Sequence, residues 1–168
     1  MISFFSYFFC SSQMKLNKSK EIDILINTPW KFGKTNEVIY TIENKSNRTY
    51  IIDPFGFYGE SYVLENGKVL KPTTYLKNGY YSRNDKLCHE DLIILKPFQK
   101  LHHSINYDKN NRALYTYTKP NKYEEIIKSS HNRYNATILG CDNFIKELES
   151  KGYKVLEDSI VAKIPLRH

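Results

Sequence analysis

Apolar residues recur at every second position through much of the chain, which is the period of a half-buried strand. In "EIDILIN" Ile22, Ile24 and Ile26 alternate with polar neighbours and predict a first strand. "NEVIYTIENKSNRTYIIDP" puts Val38, Tyr40 and Ile42 on one strand face, follows with turn formers in "ENKSN", and reads "TYIID" as the returning strand, ended by Pro54. "SYVLENGKVLKP" is a second hairpin with Asn66-Gly67 at its tip, a pair suited to two successive positive φ angles. "DLIILKPFQKLHHSINYD" supplies two strand pieces, the second with Leu101, His103, Ile105 and Tyr107 on one face, and "ALYTYT" alternates again. Between these, "TPWKFGKTN" reads as a turn-rich connection and residues 73–90 as a long polar loop. Residues 13–20 are polar and read as a flexible lead-in.

The texture changes after Pro120. Asn121 and Glu124 have capping-box spacing, and Tyr123, Ile127 and Tyr134 fall near helical spacing, so a helix is predicted over residues 122–131. "YNATILG" reads as a strand. Asp142 is placed to cap a second helix over residues 143–151, where Phe144 and Leu148 share a face, Glu147 and Lys151 pair at i,i+4, and Gly152 ends the helix. "YKVLEDSIVAKIPL" closes the chain as one bent strand or two short ones. Many short strands at regular spacing predict a mainly β chain, an antiparallel β-sandwich with one or two helices in the C-terminal third.

The first residues decide the expected compartment. "ISFFSYFFC" is as long as the apolar core of a secretory signal and far too short to span a bilayer. Cys10 and Ser12 are small enough for signal peptidase, which sets cleavage between Ser12 and Gln13. No Lys or Arg precedes the apolar run, which departs from the pattern and points to a start assigned too late. An apolar N-terminal strand of the fold is the second reading, and a lipid anchor on Cys10 is less favoured still, because Phe9 occupies the position where a lipobox needs a small residue. The expected organisation is therefore a secretion signal over residues 1–12, a lead-in over 13–20 and a single sandwich domain over 21–168. Cys88 and Cys141 then suit an oxidising compartment, periplasmic or secreted: an even count permits one disulfide, two separate buried thiols being the other reading.

With 168 residues, one domain with a proper core is expected. The 14 tyrosines suit half-buried β surfaces, ring packed and hydroxyl wet. A net charge of +7 raises nucleic acid or an anionic surface as a partner. Against nucleic acid, the lysines are scattered without a basic block, and only Arg48, Arg83, Arg112, Arg133 and Arg167 supply guanidinium forks. Abundant Lys and Asn together fit the codon usage of an AT-rich bacterial genome.

Three stretches, "NEVIYTIENKSNRTYII", "ILKPFQKLHHSINYD" and "YNATI", resemble the skeleton of bacterial immunoglobulin-like sandwich domains. In those domains an "N-x-S" turn leads into an Ile/Val strand, an "L-x-P-x-x" segment precedes an alternating strand, and a "Y-x-A" strand comes late. The likeness covers about two thirds of the chain and implies a fold rather than an activity. It offers Tyr134 as a tyrosine corner. The usual "P-G-E" is replaced by Pro97-Phe98-Gln99, and residues 73–90 and the late helix are extra.

Signatures of catalysis are missing: no G-x-S-x-G, no H-E-x-x-H and no glycine-rich phosphate cradle. No cofactor is implied. His102 and His103 are adjacent on a strand and point to opposite faces, so they cannot share an ion. Cys88-His89-Glu90 lacks the paired ligand spacing of a zinc site. The remaining candidates are aromatics placed among turn residues. Trp30, Phe57, Tyr58, Tyr80 and Tyr81 come from three connections and would form a ligand face if gathered at one end; plugging the ends of the core is their other reading. The expected function is that of an exported binding or structural module, contacting a protein or glycan in the cell envelope through its loops. Alternatives are an inhibitor-like module inserting residues 73–90 into a partner's cleft and an unrecognised hydrolase.

Overall fold

Strand alternation accounts for the main core directly. In the computed structural model, which describes residues 12–31, 37–76, 87–106, 112–118, 120–134 and 140–167, Ile22, Ile24 and Ile26 of β2 (Ile22–Thr28) are buried in one row. Val38, Tyr40 and Ile42 of β4 (Glu37–Asn44) form the row beside it. With β1 (Ser12–Lys15) and β10 (Lys100–Asn106) these strands make an antiparallel sheet in the order β1-β2-β4-β10. A second sheet has the order β3-β14-β12-β6-β7, built from β3 (Trp30–Lys31), β6 (Glu60–Glu65), β7 (Lys68–Val69), β12 (Tyr123–His131) and β14 (Asp158–Arg167). Ile127 of β12 and Ile160, Ala162 and Ile164 of β14 share one apolar cluster with the rows of β2 and β4, so the two sheets close on a common core. The chain is mainly β, as its alternation predicts.

Polar residues 13–20 are part of this architecture and not a loose lead-in. Met14 pairs with Ile26, Leu16 is buried, and the Asn17 amide donates to the Ile22 carbonyl at 2.8 Å while its oxygen accepts from the Ile24 N–H at 2.8 Å. Residues 1–11 lie outside the described residues.

The turn after β4 forms, but its strand returns to a different sheet. Asn44 is buried; its amide donates to the carbonyls of Arg48 (2.6 Å) and Lys96 (2.9 Å), and its oxygen accepts from the Ser46 N–H and hydroxyl at 2.9 and 2.8 Å. These bonds turn the chain out of the first sheet. β5 (Tyr50–Ile52) therefore pairs with β9 (Ile93–Leu95) and, in parallel, with β13 (Lys154–Val155), not with β4. All three residues of β5 are buried: Tyr50 and Ile52 in the main core, Ile51 in a second cluster with Cys88, Cys141, Ile145, Leu148 and Val155.

That second cluster lies beneath α2 (Asp142–Ser150), the predicted C-terminal helix. Its end follows the sequence signal. Gly152 has φ +84°, its N–H donates to the Glu149 carbonyl (2.9 Å), and the Tyr153 N–H donates to the Leu148 carbonyl (3.1 Å), a Schellman cap. Lys151 pairs with Glu147 at 2.6 Å. The short α1 (Cys88–Asp91) brings Cys88 to Cys141, and the two form a disulfide with Cα atoms 5.7 Å apart.

The Asn66-Gly67 hairpin is present, with both residues at positive φ. The expected helix over 122–131 is instead β12, paired with β14 on one side and β6 on the other. Asn121 and Glu124 serve the sheet: the Asn121 amide bonds Glu65 at 2.8 Å, and Glu124 takes Lys163 from β14 at 2.8 Å. Tyr134 is 71% exposed and makes no corner. Two further short strands, β8 (Thr74–Leu76) and β11 (Arg112–Leu114), pair with each other; β8 interrupts the stretch read as loop, and β11 reaches only the start of "ALYTYT", whose residues 115–118 are not in a strand.

Candidate functional site

Of the loop aromatics among the described residues, Trp30 and Phe57 belong to the main core and not to an exposed face: Trp30 is 7% exposed and Phe57 0%. Phe57 ends up there because Asp53 caps a short 3-10 turn, Pro54–Phe57, accepting from the Phe55 N–H at 2.9 Å. That turn folds inward over β12. Tyr58 is half-buried against the same core. Tyr80 and Tyr81 lie outside the described residues, as do residues 77–86 of the candidate inhibitory loop. Cys88 and Cys141 are bridged and buried, so Cys88 is not a thiolate that could join His89 and Glu90 on a metal. Among the described residues no group of three His, Cys, Asp or Glu side chains is placed to hold a metal ion.

What the sequence concealed is a polar row on the inner face of β12. Tyr123 and Ile127 point into the core, and the period of two sends Glu125, Ser129 and His131 the same way. Glu125 stands in register between buried Val63 and Ile164. No hydrogen-bond or ion partner for its carboxyl is found among the described residues, and burial pushes it up to about 7. His131 is 2% exposed, edge-on to the Phe57 ring at 4.5 Å; His103 also stacks on Phe57, at 5.6 Å. Burial pushes the His131 imidazole down to about 4. Asp53 and Asp158 pull it back without prevailing, and His103 adds to the depression. His103 is itself lowered by burial. Neither ring nitrogen of His131 nor the Ser129 hydroxyl completes a hydrogen bond among the described residues, although the Asp53 main chain lies close enough to act on the ring.

A serine, a histidine and a carboxylic acid on one strand face invite a catalytic reading. The geometry does not assemble them: nucleophile and base must share a hydrogen bond, and Ser129 Oγ makes none. Gly56 and Phe57 cover the ring from above. The row sets a half-buried carboxyl, Glu125, and a buried imidazole, His131, on the inner face of one strand.

The surface offers two depressions built from described residues. One, of about 500 Å³, is lined by Asn132, Arg133, Tyr134 and Glu157. Its cation is engaged elsewhere, since Arg133 bonds both Asp142 and Glu149 at 3.0 Å. The other is a groove of about 460 Å³ beside the β6–β7 hairpin, with walls from Tyr62, Leu70, Pro72 and Tyr115 and with Glu60 and Lys128 at one end. Lys128 Nζ stands 5.3 Å from the centre of the Tyr62 ring and 3.9 Å from the Glu60 carboxylate. Val69, on its rim, is 69% exposed. Tyrosine rings, a hydroxyl, a cation and an anion line this open groove, group types that elsewhere make ring contacts and hydrogen bonds to ligands. The signal for it was in the sequence as Tyr62 and Tyr115, but both fall in stretches that read as strand, where Tyr is ordinary. No family model, no curated protein and no solved structure matches the chain.

Proposed function

We propose that this chain is an exported bacterial binding or structural module, with an immunoglobulin-like role as a scaffold, that contacts a protein or glycan partner in the cell envelope. The observation that carries the compartment is the Cys88–Cys141 bridge, buried with its own apolar cluster. Structural disulfides persist in oxidising compartments, and the apolar start of the chain has the composition of an export signal. The contact surface is the Tyr62–Tyr115 groove, since Trp30 and Phe57 are committed to the core.

Expression of the whole chain in an envelope-bearing bacterial host, followed by fractionation and N-terminal sequencing, tests this. Mature protein beginning at Gln13, bridged and outside the cytoplasm, is the expected result. Cytoplasmic protein retaining Met1 with both thiols free overturns it.

A further inference from the structure

Pro97 and Phe98 form the centre of a tight turn between β9 and β10 that is firmly held and left uncovered. The Gln99 N–H donates to the Lys96 carbonyl at 3.2 Å, and the Gln99 side-chain oxygen accepts from the Lys96 N–H at 2.8 Å. The buried Asn44 amide donates to the same Lys96 carbonyl at 2.9 Å. Phe98 takes φ +57°, a conformation that favours glycine. Its ring is 71% exposed and belongs to neither apolar cluster. An aromatic held against backbone strain, with no share in the core, points to a role outside it.

Cations surround this ring. The Phe98 N–H donates to the Ser46 carbonyl at 3.3 Å and the Asn44 N–H to the Gln99 carbonyl at 2.9 Å, so the turn after β4 lies against the turn before β10 at one end of the first sheet. Lys45 and Arg48 come from the first turn, Lys96 and Lys100 flank the second, and all four are exposed. Exposed Lys154 joins them, its N–H donating to the Thr49 carbonyl at 3.0 Å. Acids neutralise this end only in part. Asp23 is shared between Lys15 and Lys45, and Glu21 accepts from the Tyr50 hydroxyl and stands 3.9 Å from Arg48. Glu43 faces Lys100 across the register, but among the described residues no ion pair reaches Lys96 or Lys100.

We propose that this end of the sandwich docks on an anionic lipid surface. Phe98, with Pro97, enters the boundary between headgroups and acyl chains, and the surrounding lysines and Arg48 rest among the lipid phosphates. Charge and shape favour lipid over a pocket in a partner protein. Protein interfaces surround an aromatic anchor with further apolar area and are depleted of Lys. A single projecting ring encircled by cations matches the interfacial layer of a membrane instead. One ring and a few cations make a peripheral, reversible contact that salt weakens. This surface is separate from the Tyr62–Tyr115 groove, and it holds or fails independently of the binding-module reading.

Flotation of the full chain with vesicles of mixed phosphatidylglycerol and phosphatidylcholine, beside vesicles of phosphatidylcholine alone, tests it at low and high salt. The chain should float with the mixed vesicles at low salt and not with phosphatidylcholine. Phe98→Gly should weaken binding about tenfold, the effect of withdrawing one partly buried ring. The double variant Lys96→Glu, Lys100→Glu should weaken it at least as much. Phe98→Trp gives the answer even if either of these fails to fold: its emission should shift to the blue on mixed vesicles and be quenched by bromine-labelled acyl chains, while buried Trp30 stays unaffected. Absence of binding overturns the proposal, as does equal binding to phosphatidylcholine alone. Binding that charge reversal abolishes but Phe98→Gly leaves intact overturns it too, since net charge alone then accounts for the attraction. So does capture of a protein through Phe98 by a chain that ignores vesicles.

Discussion

Gly56 lies flat against the imidazole of His131: a Cβ at position 56 would run into Nδ1 and the ring carbons beside it. The glycine is required by close approach. Gly56→Ala should destabilise the fold by about 1–3 kcal/mol through overpacking. The cost should shrink when His131→Ala makes room, since directly packed residues couple. A double-mutant cycle in denaturant melts measures this; additive losses would mean the turn and the ring are independent.

The inner row of β12 gives two opposed pH responses. His131 titrates near 4 in the fold against about 6.5 unfolded, so its contribution is lost as pH falls from 6.5 towards 4, up to about 3 kcal/mol. Glu125 titrates near 7 in the fold against about 4.5 unfolded. Its contribution is present below 4.5 and lost as pH rises through 7, and its partial exposure brings this to about 1–2 kcal/mol. Each response partly masks the other. Stability curves across this range should become more acid-sensitive in Glu125→Gln and less so in His131→Phe. Parallel curves for both variants and wild type would refute the assignment.

Reduction of the Cys88–Cys141 bridge, or its replacement by paired alanines, should lower stability. The bridge spans 53 residues of chain, for which loop closure alone gives about 4 kcal/mol. Melts with and without reductant check the value.

Phe57→Ala should cost about 3–5 kcal/mol, as expected for a fully buried ring. Tyr62→Ala, on the groove wall, should cost much less and act on partner binding. Equal losses in thermal melts would place Tyr62 in the core.

Phe98 sits at φ +57° and is 71% exposed, at the position where the resembled domains carry glycine. Gln99 N–H donates back to the Lys96 carbonyl at 3.2 Å, closing a tight turn with Pro97. Phe98→Gly should relieve the left-handed strain and raise stability by up to about 1 kcal/mol. A lower melting temperature in this variant would show that the ring makes contacts outweighing the strain.

The strands that could be read directly are those with an unbroken apolar face. Ile22, Ile24 and Ile26, or Val38, Tyr40 and Ile42, leave no alternative to period two. β12 was hidden because its inner face interleaves Glu125, Ser129 and His131 with Tyr123 and Ile127. The apolar residues that remain are four apart, which is also a helix period, so the polar row that makes this strand unusual is what disguised it. The destination of β5 was illegible for another reason. Turn formers after β4 specify a reversal, but which sheet receives the next strand is settled by the Asn44 bonds to Lys96, residues far along the chain. Phe57 read as a loop residue because Pro54 and Gly56 flank it; only the fold shows the turn pressed inward. The cysteine count allowed a bridge, and the approach of α1 to α2 makes it. The groove depends on how Leu70 and Pro72, after the hairpin, and Tyr115, far along the chain, come to lie beside β6, which only the fold shows.

β5 belongs to both apolar clusters, with Tyr50 and Ile52 on one side and Ile51 on the other. Deleting or inserting one residue between Asn44 and Tyr50 would not simply shift this strand. It would offer Tyr50's place to an isoleucine and force the tyrosine, whose hydroxyl donates to Glu21, towards the disulfide and α2. Length in this loop is thus fixed by two cores at once, and variants altered there should be the least tolerated of any loop-length changes on the molecule.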